Sequence, residues 1–380
     1  MKTVRKNTWL RSIFGEQSGG KPDYLLAVLV FALVIFGLIM VSSVSVVVSY
    51  DTFGDSHRFL RDQFVSALIG LVAFFVVSKI DYTFWKRNAI FMLIGTLLLL
   101  IMVFIPGLSF EYGGAKRWIL IGPLFFQPSE IIKLTFLFYL SAWLAKKGEL
   151  VQNFSMGFLP FVFLMVLVTG LIMMQPDLGT MLVIAAMSGA LFFVSGANLK
   201  HIFLIIVGSL GAVWLLIISA PYRMARLTAF LNPEENILGI GYHVQQALVA
   251  IGSGGWLGRG FGRSLQKYAY LPEVSGDSIF AIMAEELGFI RISLFLAVYI
   301  FFLSRGILIA KKAPDVFGKL LALGIVTWFG FQAFVNISAM LSLLPLTGLP
   351  LPFISYGGSS LVISLIAVGV LYNISKKARI

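Results

Sequence analysis

Apolar residues in this chain run in long unbroken stretches, with neither the strict alternation of a half-buried strand nor the one-sided stripe of a soluble helix. A helix that crosses a bilayer needs about 20 mostly apolar residues. Ten stretches approach that length, at roughly 24–48, 63–78, 88–105, 128–145, 157–173, 179–195, 201–219, 278–304, 320–341 and 356–374. Several are short for a bilayer, and the fifth and sixth are divided only by Gln175-Pro176-Asp177. The pattern predicts an all-α polytopic integral membrane protein of about ten transmembrane helices, a single membrane domain over 1–380. The first run is too long for a cleavable signal and no small-residue cleavage site follows it.

Composition agrees. Hydrophobic residues make up 59% of the 380 and charged residues 12%, where a soluble domain carries about 25% charged residues. Mean hydropathy is +0.94. The absence of cysteine excludes disulfides, thiolate metal sites and cysteine nucleophiles. His57, His201 and His243 are too scattered to suggest a metal cluster by spacing.

Net charge is +12, and its distribution explains it without nucleic acid. With the N-terminus in the cytoplasm, the segments on the inner side hold eighteen Lys and Arg and those on the outer side nine; Lys133 and Arg291 fall in spans. Every inner segment is net positive, as the positive-inside rule requires. Residues 1–23 and 375–380 are then cytoplasmic tails, and 220–277 is a large outer loop. Two further outer loops are 106–127 and the charge-free, proline-rich 342–355. No internal repeat of the kind found in many secondary transporters is visible.

Ionisable groups within spans are candidates for function. Glu130 and Lys133 follow Pro128 at the start of the fourth span, three apart and so on one helix face. They read as an ion pair holding the bundle or as the polar wall of a cavity for a charged substrate. Arg117 precedes them in the same outer loop. Asp177 reads as a helix cap or a binding group. Asp277 stands where the eighth span meets the outer face, again a cap by its position alone. Glu285 and Glu286 are adjacent inside that span, and at least one must face protein. Glycines at 252, 254, 255, 258 and 260 permit tight turns, but their spacing matches no nucleotide motif. His243 reads as a hydrogen-bonding loop residue.

Several motifs in order resemble the SEDS family (shape, elongation, division and sporulation). They are Gly114-Ala115-Lys116-Arg117-Trp118 with Phe126-Gln127-Pro128-Ser129-Glu130; Gln175-Pro176-Asp177-Leu178-Gly179-Thr180; Ala250-Ile251-Gly252-Ser253-Gly254-Gly255 with Leu271-Pro272-Glu273 and Glu285-Glu286-Leu287-Gly288; and Pro350-Leu351-Pro352-Phe353-Ile354-Ser355-Tyr356-Gly357-Gly358-Ser359-Ser360. Gly262-Arg263-Ser264-Leu265-Gln266-Lys267 leading into Tyr270 looks more like the division-type FtsW branch than the elongation-type RodA branch. The chain departs from the family at two places. Ser275-Gly276-Asp277-Ser278 stands where the family usually has His-Thr-Asp-Phe, so a role for that histidine does not carry over. Ser342 stands where the family usually has glycine.

The resemblance implies a SEDS fold in the bacterial cytoplasmic membrane and a peptidoglycan glycosyltransferase that polymerises lipid II at the outer face. A lipid II flippase, an RodA-type elongation polymerase and a scaffold for a penicillin-binding protein are the alternatives. Asp277 becomes the expected general base. Arg117 and Lys133 are expected on the substrate's anionic head, with Glu130 orienting Lys133. Asp177, Lys267, Glu273, Glu285 and Glu286 are the remaining expected substrate contacts. No organic cofactor is implied; a divalent cation, Mg or Mn, suits the pyrophosphate, and no sequence feature locates its site. The implied partners are lipid II and the nascent glycan strand, a class B penicillin-binding protein with other division-machinery membrane proteins, and membrane lipid at the septum.

Overall fold

The computed structural model describes residues 20–112, 115–121, 124–232, 239–268 and 270–378. Most of the expected 1–23 tail, Gly113-Gly114 and the last two residues of the 375–380 tail lie outside the described residues. Ten helices match the ten apolar runs: α1 (Tyr24–Val44), α3 (Arg58–Lys79), α4 (Tyr82–Met102), α5 (Pro128–Lys147), α6 (Leu159–Met173), α7 (Leu178–Val194), α8 (Leu199–Ile218), α11 (Ile279–Lys312), α12 (Val316–Met340) and α13 (Gly358–Ser375). Among the described residues eight helices are long and apolar enough to cross a membrane; the stretch over α6 qualifies when its preceding turn from Phe154 is included, and α7 is apolar but shorter. The other helix, α5, carries Glu130, Lys133, Lys146 and Lys147.

Boundaries shift where polar side chains close a helix. The first expected run divides at Ser45, giving α1 and the short α2 (Val46–Phe53). The third run begins at Tyr82 rather than 88 because Asp81 Oδ1 accepts the Thr83 N–H at 2.9 Å and caps it. The loop at 106–127 adds a small sheet to the helical body: β1 (Ser109–Tyr112), β2 (Ala115–Ile121) and β3 (Leu124–Phe126), antiparallel in the order β1-β2-β3. Alternation along β2 turns Arg117 and Ile119 inward. Trp118 turns the other way and stacks on Phe125 with ring centroids 4.6 Å apart. The long loop 220–277, expected outside, contains two helices, α9 (Pro221–Leu231) and α10 (Ile240–Gly254), both too short to span.

Helix α12 is the centre of the bundle, with 67% of its apolar window buried, against 6% for α8 at the periphery. Among the described residues the most extensive helix–helix contact is that of α13 on α3. Gly70 faces Leu365 and Gly369 faces the Phe74 backbone, small residues that let the two helices approach.

The two ends of the bundle are built differently. At the end holding residues 20–24 and 375–378, Arg305 donates to Asp23 Oδ2 at 2.8 and 3.0 Å, and the Asp23 N–H reaches Ser375 Oγ at 2.9 Å. Lys377 pairs with Asp81, and Asp315 caps α12 while accepting the Tyr82 hydroxyl. The far end collects the starts of α3, α5, α7, α11 and α13 around the loop 342–355. Gln63 bridges Ser355 and Gly357; the Gln127 N–H reaches Ser359 Oγ; Gly179 lies against Leu349 and Thr347.

Helix α11 is broken at Gly288, whose φ of 76° is outside the helical region. The segment after the break, 289–312, is about 36 Å long at ~1.5 Å per residue and spans the bilayer without the first part. The break frees backbone groups on both sides, and the glycine-rich loop supplies their partners. Arg259 and Gly260 N–H donate to Glu285 and Glu286 carbonyls; Phe289 and Ile290 N–H donate to Gly255 and Trp256 carbonyls. The Arg291 guanidinium, expected in a span, donates to the Leu257 carbonyl at 2.8 Å. A Cβ at Gly258 would lie 2.2 Å from the Glu286 carbonyl oxygen, and one at Gly254 would lie 2.1 Å from that of Ala284. These glycines are needed for close packing against a broken helix, where irregular backbone is tolerated once its polar groups are paired.

Candidate active site

Asp277 lies in the turn preceding α11, at the far end. Helix α11 has Ser278 at its N-cap position and no side-chain capping bond, so Asp277 is not held there as a cap. The carboxyl group is partly buried. Burial pushes its pKa up to about 6, against the opposing pull of the Arg226 guanidinium and hydrogen bonding from Ser278. Its backbone carbonyl accepts from Asn336 Nδ2 at 2.7 Å, and the same amide nitrogen donates to the Leu349 carbonyl at 2.7 Å. Gly348, at φ 74°, lies beside the carboxylate; a Cβ there would be 4.0 Å from Asp277 Oδ2.

Arg226, on α9, donates to the Leu346 carbonyl at 3.2 Å and stands close enough to act electrostatically on both Asp277 and His243. His243, in the first turn of α10, places Nε2 2.6 Å from Ser278 Oγ. Ser278 Oγ donates to the Pro272 carbonyl at 2.8 Å or to Asp277 Oδ1 at 3.4 Å. Burial and Arg226 lower the His243 pKa to about 4 although Glu273 raises it, so the ring is neutral at pH 7.

The expected cationic wall is linked to this turn through α12. Lys133 Nζ donates to Glu130 Oε1 at 2.9 Å and to Gln332 Oε1 at 3.2 Å, and lies 4.7 Å from the Trp328 ring centre. Gln332 Nε2 donates to the Pro350 carbonyl at 2.8 Å. Gln332 and Asn336 are four apart on one face of α12, so Lys133 and Asp277 are tied to the same short stretch, 349–350. Lys133 is fully buried, so its ammonium acts from behind the wall rather than at the surface of a cleft. Glu130 Oε2 and Asn336 Oδ1 are buried acceptors with no hydrogen-bond partner among the described residues.

Asp177 is a cap. Its Oδ1 accepts the Thr180 N–H at 3.0 Å and its Oδ2 accepts the Thr180 hydroxyl at 2.8 Å, with the Ser129 hydroxyl at 3.4 Å. Arg117 donates to the Gln175 carbonyl at 3.0 Å and to that of Pro176, tying the sheet to the start of α7.

Glu285, Glu286 and Lys267 form a separate buried cluster. Glu285 accepts from Ser264 Oγ at 2.5 Å and from the Leu265 N–H at 3.0 Å. Glu286 accepts from Ser43 Oγ at 2.8 Å and Lys267 Nζ at 3.2 Å, and Lys267 also donates to the Gly262 carbonyl at 2.6 Å. Both carboxylates are at most 1% exposed, and the chain's own donors occupy them. They anchor residues 259–267 to α11, while Glu273 lies near His243. Reasoning from sequence did not select Arg226, Gln332 or Asn336 for the site. The signal for the last two was present: two amides spaced four apart in an otherwise apolar span.

The model of the cell cycle protein family FtsW/RodA/SpoVE matches residues 23–380. Stage V sporulation protein E of Bacillus subtilis is 42% identical over 94% of this chain and 98% of its own. A probable peptidoglycan glycosyltransferase FtsW of Trichlorobacter lovleyi is 41% identical over 93% of each. Among solved structures, a chain of a peptidoglycan synthase complex aligns with TM-score 0.75 and 27% identity over 93% of this chain and 97% of its own. The rod shape determining protein RodA of Thermus thermophilus aligns with TM-score 0.69 and 27% identity over 94% and 97%. With the family model matching residues 23–380 and relatives above 40% identical over nearly its whole length, the chain belongs to the FtsW/RodA/SpoVE family of cell cycle proteins.

Proposed function

We infer that this chain is a peptidoglycan glycosyltransferase that polymerises lipid II, with Asp277 as its general base. The observation that carries the reading is a partly buried carboxylate that caps no helix, has a pKa raised toward neutrality, and stands beside the Arg226 guanidinium at the end of the bundle away from the termini. A base works best when its pKa approaches the working pH. Asp277 takes the proton from the acceptor sugar hydroxyl as that oxygen attacks the donor's anomeric carbon. The bond from that carbon to the polyprenyl pyrophosphate breaks, and the leaving group departs with the bonding electrons. Direct displacement converts the donor's α-linkage to β. Arg226 places a positive charge beside the reacting groups; Lys133 and Arg117 stiffen the wall behind them.

Among the described residues no three His, Asp or Glu side chains gather as a cation site. No step is assigned to a cation; Mg or Mn bound by one or two carboxylates together with the substrate's pyrophosphate needs no such cluster. Positive-inside charge supports cytoplasmic termini and a catalytic end facing outward. Identities of 41–42% to the FtsW and sporulation relatives, against 27% to RodA, favour that branch over the RodA branch, and within it the division-type reading keeps the expected septal location. The likeness to a chain of a synthase complex supports pairing with a class B penicillin-binding transpeptidase and division membrane proteins. Incubating purified protein with lipid II tests the reading. The wild type should form glycan polymer, and Asp277→Asn should lose it by roughly 10²–10⁴-fold at equal abundance. Transport of lipid II by the wild type without polymer, or near-normal polymer from Asp277→Asn, would overturn it.

A further inference from the structure

The mechanism leaves His243 without a task, although its ring lies one hydroxyl away from the proposed base. The chain has Ser275-Gly276 where the family motif usually has a histidine, and the structure brings an imidazole to the same turn from α10. The Ser278 hydroxyl has one proton and three neighbours: His243 Nε2 at 2.6 Å, the Pro272 carbonyl at 2.8 Å and Asp277 Oδ1 at 3.4 Å. A carbonyl and a carboxylate can only accept. If Ser278 donated to the ring, its oxygen would face the Pro272 carbonyl with no proton between them. If the ring's Nε2–H donates to Ser278 Oγ, the serine proton stays on the side of Pro272 and Asp277, shared between the nearer carbonyl at 2.8 Å and the carboxylate at 3.4 Å. A neutral ring permits this tautomer, with its proton on Nε2.

We propose that His243 is a positioning residue for Asp277, acting through Ser278: its Nε2–H fills the acceptor side of the hydroxyl and holds the serine O–H on the side shared by the Pro272 carbonyl and the carboxylate, away from the ring. The proposal rests on Asp277 being the base. Charged groups facing the pair are Arg226 from α9 and Glu273 from the loop before α11; from α12 the neutral Asn336 amide reaches the Asp277 carbonyl. The Ser278 hydrogen bond favours the Asp277 anion. Losing its orientation therefore raises the pH at which the base becomes available.

The test is the pH dependence of lipid II polymerisation by the purified full chain, with melting temperature as the folding control. His243→Leu should move the acid limb upward by about half to one pH unit. Its deficit should then be about threefold to tenfold below that limb and shrink at high pH. Ser278→Ala should show the same shift, and the double variant no more than Ser278→Ala alone. His243→Gln, whose side-chain N–H can donate to Ser278, should keep the wild-type profile. A deficit equal at every pH, a Gln variant as impaired as Leu, or additive losses in the double variant would overturn the proposal. If Asp277→Asn polymerises normally, the base assignment fails first and this inference with it. If Asp277→Asn is inactive while His243→Leu and Ser278→Ala keep the wild-type profile, this inference alone fails.

Discussion

On the proposed mechanism, the surroundings of a single carboxylate, Asp277, set both activity and stability. Its pKa of about 6 lies above the ordinary 3.8, so burial disfavours the charged form. The sign follows: the folded protein binds this proton more tightly than the unfolded chain. At pH 7 the ionised Asp277 destabilises the fold, a penalty relieved as pH falls through 6. Asp277→Asn removes the charge and should raise stability by about 1–3 kcal/mol while abolishing polymerisation; a melting curve at pH 7.5 checks the first effect. A general base acts in its ionised form, so on the proposed mechanism the wild-type rate should fall as pH drops through about 6. Ser342 is a second informative residue. Its φ of 55° lies in the left-handed region, where an L side chain costs about 1–2 kcal/mol. The family's usual glycine at this position has that physical reason. Ser342→Gly should leave activity intact and stabilise the chain by about 1 kcal/mol or less, since glycine also frees the unfolded chain.

At the scale of elements, the break in α11 and the loop that fills it account for the glycine motif. Gly258, at φ 77°, has no room for a side chain against the Glu286 carbonyl, whereas a Cβ at Gly252 would meet nothing within 4 Å. Gly258→Ala should lower the melting temperature and the yield of folded protein, and Gly252→Ala should leave both nearly unchanged. Equal effects from the two would contradict the packing role. The start of α5 offers a second contrast. Lys133→Ala strands Glu130 in the bundle, and breaking a buried pair costs about 3–5 kcal/mol. Lys147→Ala removes a lysine from the other end of the same helix, where it lies over Trp143. Abundance and polymerisation should fall with the first change and stay close to wild type with the second.

The whole molecule places its charges asymmetrically. One end is stapled by Asp23–Arg305 and Asp81–Lys377, and the other carries Asp277. With no cysteine in the chain, single introduced cysteines report sidedness cleanly. A cysteine at exposed Tyr270 should label from outside intact cells, and one at exposed Lys312 only after the membrane is permeabilised. The reverse pattern would invert the topology and remove Asp277 from the outer face.

The number and order of the helices were legible in the sequence because lipid imposes a length and an apolarity that each span must meet by itself. The Glu130–Lys133 pair was legible for a similar reason: a three-residue spacing on a helix is local geometry. Asp277 could be singled out through its motif, yet its position alone read as a cap, and in the structure Ser278 holds the N-cap position with no side-chain capping bond. The roles of Glu285, Glu286 and Lys267 were not legible. Their partners Ser43, Ser264 and Gly262 come from segments distant in sequence or from a loop whose path depends on the break at Gly288. Arg226, His243 and Asn336 meet Asp277 only because α9, α10 and α12 converge on one end of the bundle. Periodicity and local spacing determine which segments become helices and which face each side chain occupies. Which distant side chains share a hydrogen bond or a field depends on how those helices pack, and only the tertiary structure decided that.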